Sequence, residues 1–130
     1  MSYDTLPDET ERVATIIVDA AFKVHSTLGP GLLESVYETC LVHELEKRDL
    51  IVRKQMTLPV LYDELHLDAG LRLDLLVEDR VIVELKAVER LLPVFEAQVL
   101  TYLKLTGKRL GLLINFNVPR IKDGIKRFIV

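Results

Sequence analysis

Asp74, Glu84 and Lys86 are the three residues of this chain whose types and spacing could do chemistry together. Glu84 and Lys86 lie two apart in the apolar, β-branched run Val81-Ile82-Val83-Glu84-Leu85-Lys86. On a strand both side chains leave one face, and Val83 and Leu85 take the other. Where Asp74 falls depends on the preceding turn. A three-residue loop, Glu78-Asp79-Arg80, sets Val77 opposite Val81 and Asp74 opposite Glu84; a two-residue loop sets Asp74 against Val83 and sends the acids to opposite faces. Facing carboxylates repel unless one is protonated or a cation lies between them. A divalent cation such as Mg²⁺ suits such a pair, because it takes a few carboxylates plus waters and leaves positions for phosphate oxygens. Lys86 beside it would orient a water or stabilise charge developing on a phosphate. An ordinary Glu-Lys pair on a surface hairpin has the same spacing.

The elements that must position these residues are marked by changes of period. After Pro7, Asp8 and Glu11 have the spacing of a capping box, which predicts a helix start. Val13, Ile16, Ile17, Ala20, Val24 and Leu28 then form one apolar stripe, broken by Gly29-Pro30-Gly31. A second helix follows, with Leu33, Val36, Tyr37, Cys40, Leu41 and Leu45 as its expected buried face. From Ile51 the period becomes two. Strands are predicted over Thr57 to Leu61, Leu65 to Val77 and Val81 to Val88, with a bulge or bend at Gly70. Pro93 opens a helix through Thr106, which Gly107 ends. The apolar run Leu110 to Phe116 suits a central buried strand, and Arg127 to Val130 a short edge strand. The order is α-α-β-β-β-α-β, with that further edge strand after it.

A chain of 130 residues, 49% apolar and 28% charged, has the composition of one compact domain spanning residues 1–130. Cys40 is the only cysteine, which excludes a disulfide framework and a paired-cysteine zinc site. The N-terminus lacks the basic and apolar regions of a signal peptide and no apolar run reaches membrane-spanning length, so a cytoplasmic protein with no membrane partner is expected. The net charge of −3 argues against coating nucleic acid by bulk positive charge. Yet residues 97–130 hold seven bases against Asp123 alone, while residues 1–50 hold ten acids and four bases. This asymmetry fits either a phosphate-facing side or ordinary solvated faces.

Asp74 followed by Glu84-Leu85-Lys86, set in a β-meander between two preceding helices and a following helix and strand, resembles the PD-(D/E)XK nuclease-like superfamily. Gly31-Leu32-Leu33-Glu34-Ser35-Val36-Tyr37 further resembles the signature of the GxxExxY protein family, a bacterial branch of it. The resemblance continues through Leu71 to Val77, Gln98 to Tyr102 and Gly111 to Phe116. It implies an α/β fold with a mixed sheet and helices packed on it. It also implies Asp74 and Glu84 as ligands of Mg²⁺ or Mn²⁺, Glu34 as a further catalytic acid and ligand, and Lys86 as the catalytic lysine. Gln98 and Tyr102 resemble the QxxxY element of exonuclease-like branches, one turn apart on a helix face. Tyr37 is expected to be buried, its hydroxyl supporting Glu34. Two positions depart from the pattern: Leu73 replaces the proline before Asp74, and Phe95 stands where many members carry a histidine. His25, His43 and His66 have no metal-ligand spacing, although His25 could lie near the glycine turn and so near Glu34.

The leading expectation is therefore a divalent-metal-dependent nuclease acting on DNA or RNA. Its rivals are a catalytically inactive nuclease-like domain that binds nucleic acid or a protein, and a homo-oligomer built through an edge strand.

Overall fold

The computed structural model describes residues 5–130. Two helices, α1 (Asp8–Leu28) and α2 (Glu34–Lys47), precede an antiparallel meander of β1 (Val52–Tyr62), β2 (Leu65–Val77) and β3 (Val81–Lys86). Helix α3 (Pro93–Thr106) then leads to β4 (Leu110–Asn115), and a 3₁₀ turn (Ile121–Gly124) leads to β5 (Ile125–Ile129). The strands form one mixed sheet in the order β1-β2-β3-β4-β5, with β3 and β4 parallel and every other pair antiparallel. Parallel neighbours need a crossover between them, and α3 is that crossover. The result is the α/β architecture expected of a PD-(D/E)XK nuclease-like core.

The sheet separates two apolar cores. On one side Val13, Ile17 and Val24 of α1 and Leu41 and Leu45 of α2 pack on Leu75, Val83, Leu85 and Leu112. On the other, Val99 and Leu103 of α3 pack on Leu73, Leu76, Ile82 and Leu113. Strands β3 and β4 lie between both layers, which is why nearly every residue in them is buried and apolar. Gly111 lets α3 approach closely, since a Cβ there would meet Val99 Cγ1 at 2.6 Å.

Several boundaries differ from the sequence expectation, each for a local reason. Pro7 occupies the capping position of α1 and no side chain caps it, so Asp8 and Glu11 are first-turn charges complementing the helix dipole instead of a capping box. Leu33 precedes α2 and is 74% exposed, and Leu28 is also exposed; the buried side of α2 is Tyr37, Leu41, Val42 and Leu45. Strand β1 starts five residues early, because Val52 to Met56 pair with Leu73 to Val77 even though Arg53 and Lys54 give them a polar look. Strand β3 stops at Lys86, since the side chain of Asn115 takes over the backbone of Val88. Strand β4 likewise ends at Asn115, one residue before Phe116, and β5 covers Ile125–Ile129. At Gly70 the β1–β2 register shifts between Leu58 and Val60, and a Cβ would come within 2.3 Å of Val60 Cγ2.

Candidate metal and catalytic site

The loop Glu78-Asp79-Arg80 joins β2 to β3, with Glu78 and Asp79 at positive φ and Val77 opposite Val81. In that register Leu76 faces Ile82 and Leu75 faces Val83, so the next residues along are Asp74 and Glu84. There the two side chains replace the backbone ladder. Asp74 N–H donates to Glu84 Oε1 at 3.2 Å, and Leu85 N–H donates to Asp74 Oδ2 at 2.9 Å. The strand alternation also breaks at this point. Leu71 and Leu73 face the α3 core, Leu75 already faces the α1–α2 core, and Asp74 sits at the switch.

The row of polar residues extends to β1. Lys54 pairs with Leu75 and Met56 with Leu73, and Gln55 between them lies across from Asp74 with φ of 51°. A non-glycine residue in this region stores roughly 1–2 kcal/mol of strain. Gln55 Nε2 donates to Glu38 Oε1, which ties β1 to the first turns of α2.

Glu34, Asp74, Glu84 and Lys86 line one cavity of about 540 Å³, which Gln98 and Tyr102 close from α3. Gln98 Nε2 donates to the Tyr102 hydroxyl at 2.9 Å, as their one-turn spacing allows. The Lys86 ammonium stands 4.4 Å from the centre of the Phe95 ring. Tyr37 lies elsewhere: it is fully buried and stacks on Phe116 with centroids 4.6 Å apart. Its hydroxyl donates to Gly29 O at 2.6 Å and accepts Leu32 N–H at 3.1 Å, so it holds the loop that leads into Glu34 instead of the Glu34 carboxylate. His25 is buried and its Nε2 meets Val118 O at 2.7 Å, a tie between α1 and the segment after β4. Cys40 and His43 line a separate groove between α1 and α2.

Four further residues were not singled out by the sequence. Arg72, Gln55 and Glu38 line the same cavity, and Asn115 lies on β4 opposite Lys86. Arg72 precedes Asp74 by two on a strand, and Glu38 follows Glu34 by four on a helix, so both spacings carried the signal. Asn115 pairs with Lys86 across β3–β4, while its side chain bonds Val88 N–H, Val88 O and Asn117 N–H at 3.0, 3.0 and 3.2 Å.

A model of the PD-(D/E)XK nuclease superfamily matches residues 11–128. The chain belongs to that superfamily. No curated protein and no solved structure matches it. PD-(D/E)XK nucleases generally use divalent metals, so the donor set here bears on whether an ion fits.

Glu84 is 3% exposed, and burial, then the charge of Asp74, pushes its carboxyl up to about 9. The adjacent Asp74 carboxyl favours a proton held at Glu84, against the Asp74 N–H that donates to its oxygen. A hard cation can take the place of that proton. Glu34 is raised by partial burial first and by Asp74 second, while Lys86 opposes the shift. Tyr102 is raised by burial and then by Glu84. Among the described residues no three Asp, Glu, His or Cys side chains form a ready ligand cluster. Two opposed carboxylates nevertheless fit Mg²⁺ or Mn²⁺, for which one or two carboxylates completed by water and phosphate oxygens are a common set.

Proposed function

We propose that this chain is a divalent-metal-dependent phosphodiester hydrolase of the GxxExxY branch, acting on nucleic acid. What carries the proposal is the reciprocal clasp of Asp74 and Glu84, which forgoes backbone pairing to face two acids toward each other in a cavity that also holds Lys86. Asp74 and Glu84 would hold Mg²⁺ or Mn²⁺, and Glu34 would join them directly or through water. The ion, when bound, supplies positive charge to a phosphate oxygen and acidifies a bound water. Lys86 Nζ offers a hydrogen-bond donor and a fixed charge beside the reacting phosphate. Arg72 adds a second cation to the same cavity, and Gln98 and Tyr102 offer polar groups to the nucleotide. The test is cleavage of single- and double-stranded DNA and RNA with Mg²⁺ or Mn²⁺: metal-dependent turnover lost in Lys86→Ala supports it.

A catalytically inactive domain that binds nucleic acid or a protein draws support from Phe95, whose ring holds the Lys86 ammonium where many members carry a histidine. Calorimetric Mn²⁺ binding without cleavage of any of these substrates would favour it.

A further inference from the structure

Among the described residues, Asp49, Gln55, Asp63, Glu78 and Asp79 are the non-glycine positions at positive φ. Four of them lie in turns between elements, and Gln55 alone lies inside a strand. No inserted residue calls for that conformation, because the register is unbroken on either side: Lys54 faces Leu75 and Met56 faces Leu73. What changes there is the face. On β1, Val52 packs on the α1–α2 core and Met56 on the α3 core, although regular alternation would keep positions four apart on one face. On β2, Leu75 and Leu73 divide between the two cores in the same way. The hairpin therefore rolls over at the level of Gln55 and Asp74, and both of these residues line the cavity.

The left-handed residue is held from outside the sheet. Gln55 Nε2 donates to Glu38 Oε1, and Glu38 stands one turn after Glu34 on α2. A hydrogen bond to a carboxylate is stronger than one between neutral groups, and it offsets strain that a glutamine would otherwise relieve by returning to an extended conformation. We propose that Glu38 and Gln55 are a positioning pair: their hydrogen bond holds the roll of the hairpin and so aims the Asp74 carboxylate at Leu85 N–H, at a fixed span from Glu34. One side-chain bond thus sets two acids that come from separate elements. That these acids then serve a cation rests on the function proposed above; the placement of Asp74 does not.

Leu85 N–H, which donates to Asp74 Oδ2 at 2.9 Å, reports that placement without any metal. The test is amide hydrogen exchange of the metal-free full chain at neutral pH, read residue by residue by NMR. Glu38→Ala removes the acceptor and Gln55→Glu sets two carboxylates against each other. Each is expected to speed exchange at Leu85 about tenfold, the strain of one left-handed residue, and to leave Val99 and Leu103 of α3 unchanged. Glu38→Gln keeps an acceptor and should exchange like the wild type. The swap Glu38→Gln/Gln55→Glu reverses donor and acceptor and should restore the wild-type rate, which a role for the Glu38 charge would not. Calorimetric Mn²⁺ affinity should follow the same order, about tenfold weaker in the first two variants and recovered in the swap. Exchange at Leu85 that ignores Glu38→Ala, or that rises equally at Val99, overturns the positioning pair. So does Glu38→Gln behaving like Glu38→Ala, or a swap that fails to recover. A wild type that binds no Mn²⁺ overturns the metal-dependent function instead, and the exchange rates still decide the pair.

Discussion

Glu84 and Lys86 leave the same face of β3, yet Glu84 is enclosed while Lys86 keeps contact with solvent and rests on Phe95. Their substitutions therefore separate. Lys86→Ala loses one exposed-edge cation–π contact, worth about 0.5–1 kcal/mol, and should leave the fold intact. Removing the proposed charge beside the phosphate should lower turnover by about 10²- to 10³-fold, measured as initial cleavage rate at saturating Mn²⁺. Glu84 instead controls pH dependence. Its carboxyl titrates near 4.5 in the unfolded chain and at about 9 in the fold, so between those values the folded, metal-free protein binds the extra proton. Stability then falls as pH rises through that window. Thermal melts of the metal-free wild type should show Tm decreasing from pH 5 to pH 9, and Glu84→Gln should flatten the slope. Mn²⁺ should raise the wild-type Tm most at the alkaline end, where the ion displaces the least proton, and raise that of Glu84→Gln less. An equal gain in both proteins would place the ion elsewhere.

The elements carry these residues to the site by backbone devices of unequal visibility in the sequence. Helix α3 and strand β2 coincide with their predicted limits, because Pro93, Gly107 and the turns at residues 63–64 and 78–80 are punctuation that local chemistry dictates. Loop length between β2 and β3 is what the residues alone left open, and the observed pairing of Val77 with Val81 brings Asp74 level with Glu84. What remained hidden depends on contacts across the sheet: Gln55 reaches the cavity, and there donates to Glu38, only because β1 begins early. Tyr37 was expected at Glu34 and instead bridges Gly29 and Leu32, since a hydroxyl buried beneath a glycine-rich turn is surrounded by backbone groups needing partners. Tyr37→Phe leaves a backbone carbonyl and an amide without that partner. It should cost about 1–2 kcal/mol, a Tm drop of about 4–7 °C for a domain of this size, and calorimetry should show weaker Mn²⁺ binding as the start of α2 loosens.

Across the whole molecule, the charge asymmetry along the chain does not survive folding as a basic face. Lys108 reaches Asp79 at 3.1 Å, Lys126 reaches Glu96 at 3.0 Å, and Arg127 pairs with Glu11 from the first turn of α1. Three of the seven bases of residues 97–130 are thus answered by acids on other elements, one of them, Glu11, from the acidic N-terminal stretch. The cations that face the candidate site are Arg72 and Lys86, set among Glu34, Glu38, Asp74 and Glu84. Nucleic acid docked there can release counterions at only a few phosphates. With about two phosphates neutralised, log K against log salt should slope near −2 for a duplex, shallow beside the steep dependence of proteins that grip six to ten phosphates. Arg72→Ala should remove about one unit of that slope, whereas Lys126→Ala should leave it unchanged. Fluorescence anisotropy of a labelled duplex across a salt series, with Ca²⁺ in place of Mg²⁺ to suppress turnover, measures both. A slope that steepens with duplex length, or that falls with Lys126→Ala, would mean that nucleic acid follows the C-terminal bases and that the cavity is not where it docks.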